Sequence, residues 1–227
     1  MERIKLHIVN IRKMRKFQDA PVDTMGCHKL ANISATQKDQ RIHTLIALML
    51  SSQTKDQILS VAMEKLHKSG SSMDELLKKS EKEFAEIIYP VGFWRKKSIY
   101  ITRTLKILNE QYDNDIPQTI VDMCNLPGVG EKMAYILMSV AWKRIEGIGV
   151  DTHVHRICNR LNWVSTKTPQ KTRIELEKVL PKVYWKEINK LLVGFGQTIC
   201  KPIGPKCIQC ENKNTCPYTI KNMDLLD

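Results

Sequence analysis

An amine nucleophile and a carboxylate stand nineteen residues apart in this chain, Lys132 in Leu126-Pro-Gly-Val-Gly-Glu-Lys132 and Asp151 in Val150-Asp-Thr-His153. Gly128 and Gly130 allow backbone conformations closed to other residues, so the first run reads as a tight hairpin. Its amides, that of Val129 included, can face a phosphate. Met133, Ile136, Leu137, Val140 and Ala141 then follow the i, i+3, i+4, i+7, i+8 spacing of a helix with one apolar face. Lys132 therefore falls in a first turn, where the positive end of the helix dipole disfavours its ammonium form. A free lysine of pKa ~10.4 is neutral in only roughly one molecule in a few thousand at pH 7, and a nucleophilic lysine needs that fraction raised. Asp151 opens the next helix, which carries Val154, Ile157, Cys158 and Leu161 on one face. Each residue also has an ordinary reading, Lys132 as a solvated side chain and Asp151 as an N-cap.

A second constellation lies near the C-terminus. Cys200, Cys207, Cys210 and Cys216 have the spacing C-x6-C-x2-C-x5-C, with Pro202, Gly204, Pro205 and Pro217 forcing the chain to loop. Four thiolates in so short a segment suit tetrahedral zinc or an iron–sulfur cluster, and the spacing alone leaves both open. Cys27 in a polar loop, Cys124 in a short helix and Cys158 on an apolar helix face read as structural thiols. No disulfide framework suggests itself, which points to a reducing compartment.

The elements that must position these groups are helical. Apolar stripes run through Ile42, Leu45, Ile46, Met49 and Leu50, through Ile58, Val61, Ala62 and Leu66, and through Ile101, Leu105, Leu108 and Tyr112. Ser72 before Glu75 and Ser80 before Glu83 have capping-box spacing, and Pro117 and Pro169 suit first helical turns. Ile4, Ile8 and Ile11 make the N-terminal stretch an amphipathic helix rather than a secretory signal. An all-α fold follows. With 36 Lys and Arg against 24 Asp and Glu, the formal charge is +12, which favours a polyanionic partner. Basic residues gather in residues 12–16 and 95–97. The longest apolar run, Leu45 to Leu50, is far short of the ~20 residues that span a bilayer, so a soluble protein without membrane contact is expected.

Together, the hairpin with its lysine, Val-Asp-Thr-His and the cysteine loop resemble the endonuclease III family of helix-hairpin-helix DNA glycosylases. Ser51-Ser-Gln-Thr-Lys-Asp56, Val91-Gly-Phe-Trp94 and Leu192-Val-Gly-Phe-Gly196 look most like its eukaryotic branch. The resemblance covers nearly the whole chain and implies two helical lobes with the active site in a cleft. Residues 34–145 would form a six-helix barrel with the helix-hairpin-helix, and 1–33 with 146–227 an iron–sulfur lobe made from both chain ends. It further implies a bifunctional DNA glycosylase and abasic-site lyase of base excision repair acting on oxidised pyrimidines. Lys132 would be the nucleophile, with Asp151 facing it across the cleft. Gly128, Val129 and Gly130 would bind a phosphate, and Cys200, Cys207, Cys210 and Cys216 would hold a [4Fe–4S] cluster. From matching family positions, Phe93 would be a wedge filling the gap left by an extruded nucleotide and Gln53 would contact the orphaned base. Their ordinary readings are a core aromatic and a helix-cap polar residue. His153 and His155 receive no catalytic role. Double-stranded DNA would be the partner of a monomer, in the nucleus, with the mitochondrion or, in a prokaryote, the cytoplasm as alternatives. The N-terminal extension common in that branch is not seen, which leaves organelle targeting open.

Three other functions compete. Adenine-mismatch glycosylases share the hairpin, aspartate and cluster but generally lack the lysine. A non-catalytic DNA-binding module would use hairpin and cluster only as a clamp, and a nicking assay on an abasic duplex separates it. A zinc-bound nucleic-acid adaptor would lack the colour of an iron–sulfur protein.

Overall fold

The computed structural model describes residues 2–221. Among these residues the regular structure is helical and no strand occurs. In chain order the helices are α1 (Glu2–Met14), α2 (Pro21–Met25), α3 (Gln37–Ser51), α4 (Asp56–Lys68), α5 (Met73–Leu77), α6 (Glu81–Ile88), α7 (Trp94–Gln111), α8 (Ile120–Asn125), α9 (Glu131–Ala141), α10 (Thr152–Arg160), α11 (Pro169–Val179), α12 (Trp185–Thr198) and α13 (Pro217–Lys221). They form two compact units, one of residues 25–146 and the other of 2–24 with 147 onward. The first unit starts at Met25 rather than at residue 34, because the intervening segment packs on it. Cys27 and Leu30 lie against its core, His67 Nε2 donates to the Leu30 carbonyl at 2.8 Å, and the Asn32 amide donates to His43 Nδ1 at 3.3 Å.

Helix α3 is the centre of that unit. Every residue from Ile42 to Leu50 is buried, so the expected single stripe is a helix surrounded on all sides. Around it, α4 buries Leu59, Ala62, Met63 and Leu66, while Val61 is 49% exposed. The phase is one residue from that read off the sequence, since the apolar run there satisfies two helical registers equally well. In α9 the buried residues are likewise Ala134, Leu137 and Met138, with Met133, Ile136 and Ala141 at the margin. Both capping boxes form, Ser72 with Glu75 and Ser80 with Glu83, and Pro169 starts α11. Pro117 instead precedes α8, whose cap is the Thr119 side chain, and its carbonyl accepts from Trp142 Nε1 at 2.8 Å. No described helix is long and apolar enough to cross a membrane.

The second unit is built on α1, α10, α11 and α12, which bury Ile8, Ile11, Val154, Ile157, Cys158, Leu176, Ile188, Leu192 and Phe195 together. Gly196 matters to its packing: a Cβ there would stand 2.5 Å from His153 Nδ1, so only glycine lets the two elements meet. Much of the basic run at residues 12–16 is consumed by ion pairs. Arg12 pairs with Glu187, Lys13 with Glu211 at 3.2 Å, and buried Arg15 with Asp23 and with Asp19 at 2.9 Å.

Helix α1 also carries a buried histidine. Trp163 Nε1 donates to His7 Nδ1 at 2.9 Å, so the ring proton sits on Nε2 and reaches Thr215 Oγ1 at 3.0 Å. Burial, assisted by the charge of Arg3, lowers the His7 pKa to about 4. The folded state thus keeps the ring neutral while the unfolded chain gains a proton near the ordinary value of 6.5. Its contribution is complete above about pH 6.5, declines as pH falls from there to about 4, and is level below that. Urea unfolding should show wild type losing on the order of 3 kcal/mol more than His7→Gln across this window. Parallel pH profiles for the two proteins would refute the assignment.

Candidate functional site

The hairpin begins at the end of α8, where Val129 N–H donates back to the Leu126 carbonyl at 3.1 Å. Leu126 and Val129 are both buried in the core, which anchors the turn. Gly128 has φ +78, and a Cβ on it would sit 2.5 Å from Cδ2 of Tyr100, so the backbone lies directly on that ring. Gly130 differs from the expectation. Its φ is −112, open to any residue, and a Cβ would meet nothing within 4 Å. As the N-cap of α9 it supplies no side-chain acceptor, and the first amides of a helix have no intrahelical partner. The start of α9 therefore points its N–H dipoles at an open face, a setting that favours an anion.

Lys132 is the second residue of α9 and is partly buried. Its neighbourhood holds a group that sequence reasoning missed. Cys27 is not in an open polar loop but starts a short turn packed on the core. Its thiol is pushed up to about 11 by burial, with the charge of Lys132 opposing that rise and Asp56 adding to it. Nothing in local pattern could reveal this, since 105 residues separate Cys27 from Lys132.

Gln53 and Phe93 are brought together in the same unit. Both are exposed and both have left-handed backbones, φ +50 and +57. Gly92 packs so closely on the Gln53 carbonyl that a Cβ could not be accommodated. A cavity of about 260 Å³ beside them is lined by Met49, Ser52, Phe93, Lys96, Lys97, Tyr100 and Gly128. Phe93 is thus no core aromatic, being 63% exposed at the N-cap of α7.

In the other unit, Asp151 is the N-cap of α10, its Oδ1 accepting from Val154 N–H at 2.8 Å. The capping role engages Oδ1. His155 Nδ1 is engaged with Thr172 Oγ1 at 2.6 Å, tying α10 to α11.

The thiol loop follows α12. Cys210 is pushed up to about 11, first by burial and then by Cys200, Cys216 and Cys207, so all four sulfurs share one neighbourhood. Arg160 donates to Cys200 Sγ at 3.5 Å and to the carbonyls of Lys201 and Pro202 at 2.7 and 3.0 Å. Burial raises the Cys200 pKa, while Arg160 and Arg156 favour its thiolate. Asn212 Nδ2 donates to the His7 carbonyl at 3.3 Å and Asn212 Oδ1 accepts from Asn10 at 2.9 Å, which fixes the loop on α1. Among the described residues, no group of three or more His, Cys, Asp or Glu side chains is placed to hold a metal ion.

The HhH-GPD superfamily of base excision DNA repair proteins matches residues 46–182. The chain is 51% identical over 209 residues to endonuclease III-like protein 1 of Gallus gallus, covering 91% of this chain and 74% of that protein. Its counterpart in Mus musculus is 50% identical over 212 residues, at 92% and 71% coverage. Among solved structures, a non-covalent endonuclease III–DNA complex matches with a TM-score of 0.83 at 25% identity, covering 98% of both chains. A trapped endonuclease III–DNA covalent intermediate matches at 0.82 and 26%, again over 98% of both.

The two hairpin glycines should respond differently to alanine. Gly128→Ala forces both a left-handed alanine and a clash with Tyr100, costing about 2–4 kcal/mol, whereas Gly130→Ala should change stability by less than about 1 kcal/mol. Denaturant unfolding of both variants checks this, and equal losses would contradict it.

Proposed function

The chain belongs to the endonuclease III family of the HhH-GPD superfamily of base excision DNA repair proteins, and from that premise we propose that it removes oxidised pyrimidines through a Schiff base on Lys132. By family it is a DNA glycosylase and abasic-site lyase. The observation that carries the residue assignment is the position of Lys132, in the first turn of a helix whose start faces open space at Gly130 and has no capping side chain.

A damaged base cannot be attacked within the stack, so its nucleotide must rotate out, at a cost of a few kcal/mol. Gly128, Val129 and Gly130 amides hold a backbone phosphate and set register without reading sequence. Phe93 enters the vacated space and Gln53 contacts the orphaned base. The neutral Lys132 amine then attacks the sugar C1′ as the bond to the base breaks and the base leaves with the electron pair. Asp151 accepts the proton from the lysine or offsets the positive charge developing on the sugar. Ring opening gives the Schiff base, whose cationic nitrogen makes the C2′ proton acidic. Loss of that proton expels the 3′ phosphate and nicks the strand. Lys132 thus serves both steps, which separates this reading from the adenine-mismatch branch.

The thiols at 200, 207, 210 and 216 suit a [4Fe–4S] cluster. Four soft thiolate donors, with two guanidiniums favouring the thiolate at Cys200, would hold zinc or an iron–sulfur cluster equally well, and membership of the endonuclease III family is what favours the cluster. Cys200, Cys207, Cys210 and Cys216 would hold the cluster, which would cross-link the loop that carries Lys201 and Lys206. We read the protein as a monomer acting on double-stranded DNA in the nucleus, with the mitochondrion as the alternative; sedimentation and imaging of a tagged chain test these.

Borohydride trapping on duplexes carrying thymine glycol, a hydroxylated pyrimidine or an abasic site tests substrate and covalent chemistry together. Wild type should trap, Lys132→Gln should bind without trapping, and Asp151→Asn should fold but lose most turnover. Trapping by Lys132→Gln would remove the lysine from the mechanism, and full turnover by Asp151→Asn would leave Asp151 as a cap alone. Purified protein should be brown with matching iron and sulfide, both lost in Cys210→Ser. Stoichiometric zinc without iron would reassign the site.

A further inference from the structure

Gln53 and Phe93 sit on loops forty residues apart, and each is held in a backbone region that side chains disfavour. Such a pair needs surrounding structure that over-determines it. That structure converges on one side chain, Lys97 of α7, which is buried although it is a lysine in a run of three cations. All three of its ammonium donors are in use: Leu50 O at 2.8 Å, Ser52 O at 2.6 Å and Thr54 Oγ1 at 3.3 Å. The first two carbonyls lie at the negative end of α3, on either side of its last residue. Thr54 Oγ1 is shared, since it also accepts from Gly92 N–H at 3.3 Å and donates to the Ser52 carbonyl at 3.2 Å. One ammonium and one hydroxyl therefore tie the turn bearing Gln53 to the turn bearing Phe93. Burial lowers the Lys97 pKa to about 8, which records how far this cation has been taken from water.

We propose that Lys97 is the positioning residue for nucleotide extrusion, setting the spacing of Gln53 and Phe93 so that the two enter a duplex as one rigid probe. This rests on the reading of those two residues given above. Lys97 touches neither substrate nor the reacting atoms. Its effect should therefore fall on substrates whose nucleotide must be extruded and spare those already unstacked.

The test compares Lys97→Met, similar in length but without donors, with Thr54→Val, which removes the shared hydroxyl. Single-turnover excision of thymine glycol from a duplex should fall about tenfold to a hundredfold in both, while strand cleavage at an abasic site in a single-stranded oligonucleotide changes by less than about twofold. The fluorescence rise of 2-aminopurine opposite the lesion should slow in parallel. Equal losses on both substrates, or no loss on either, would overturn the proposal; should Lys97→Met fail to fold, Thr54→Val decides. The double variant Gln53→Ala/Phe93→Ala separates the two readings. If it loses duplex excision while Lys97→Met and Thr54→Val keep it, only the positioning role falls. If it keeps duplex excision, the duplex-entry reading falls and the positioning role with it.

Discussion

Placing a backbone hard against an aromatic ring is the constraint from which the hairpin follows. Gly128 lies on Tyr100 at a distance that excludes a Cβ, and Thr104 Oγ1 reaches the neighbouring Pro127 carbonyl at 3.4 Å, so α7 holds the turn from beneath. With Leu126 and Val129 sunk in the core on either side, the chain has one way out, and it leaves as α9. The start of that helix and the residue one place into it are consequences of this seating. A lysine at such a point works against the helix dipole. A sequence optimised only for stability would place a carboxylate there, as Asp122 follows Thr119 in α8.

Cations in this protein divide by task. The formal excess of +12 suggests a surface made for a polyanion, yet several of the positive groups are internal fasteners. Arg15 is buried between Asp19 and Asp23, Arg41 pairs with Asp115 through Nε and Nη2, and Lys97 closes the end of α3. Arg156 and Arg160 turn towards the thiol loop, donating to the Cys200 carbonyl and sulfur respectively. What remains for DNA is the exposed set, Lys96 among them, with its ammonium over the Tyr100 ring at 5.4 Å from the centroid. A buried cation is tolerated when hydrogen bonds replace its water, and at Lys97 two backbone carbonyls and one hydroxyl occupy every donor.

Local signals were readable wherever the decisive interaction spans three or four residues. Capping at Ser72, Ser80 and Asp151 and the buried face of α10 depend on such short spacings, and the structure has them where the pattern puts them. Phase failed in α4 and α9 because their apolar residues are contiguous enough to satisfy two registers, and only the neighbours choose between them. Pro117 misled for a related reason: its tolerance at a first turn is permissive, while the Thr119 hydroxyl is what starts the helix. Cys27 within electrostatic range of Lys132, and Lys97 beneath Gln53 and Phe93, were invisible because tertiary proximity over 105 and about forty residues leaves no periodic trace. The two glycines of the hairpin show the limit most plainly. They look alike in sequence, but one answers to a ring inside the protein and the other faces open space.

One nitrogen forms the bond to sugar, and which one it is can be read directly by peptide mapping. Wild-type protein reacted with an abasic duplex and reduced should be digested with nuclease and protease, then analysed by mass spectrometry. The deoxyribose remnant should be found on Nζ of Lys132, in a single modified peptide. A remnant on another lysine or on the chain's amino terminus would contradict the central claim.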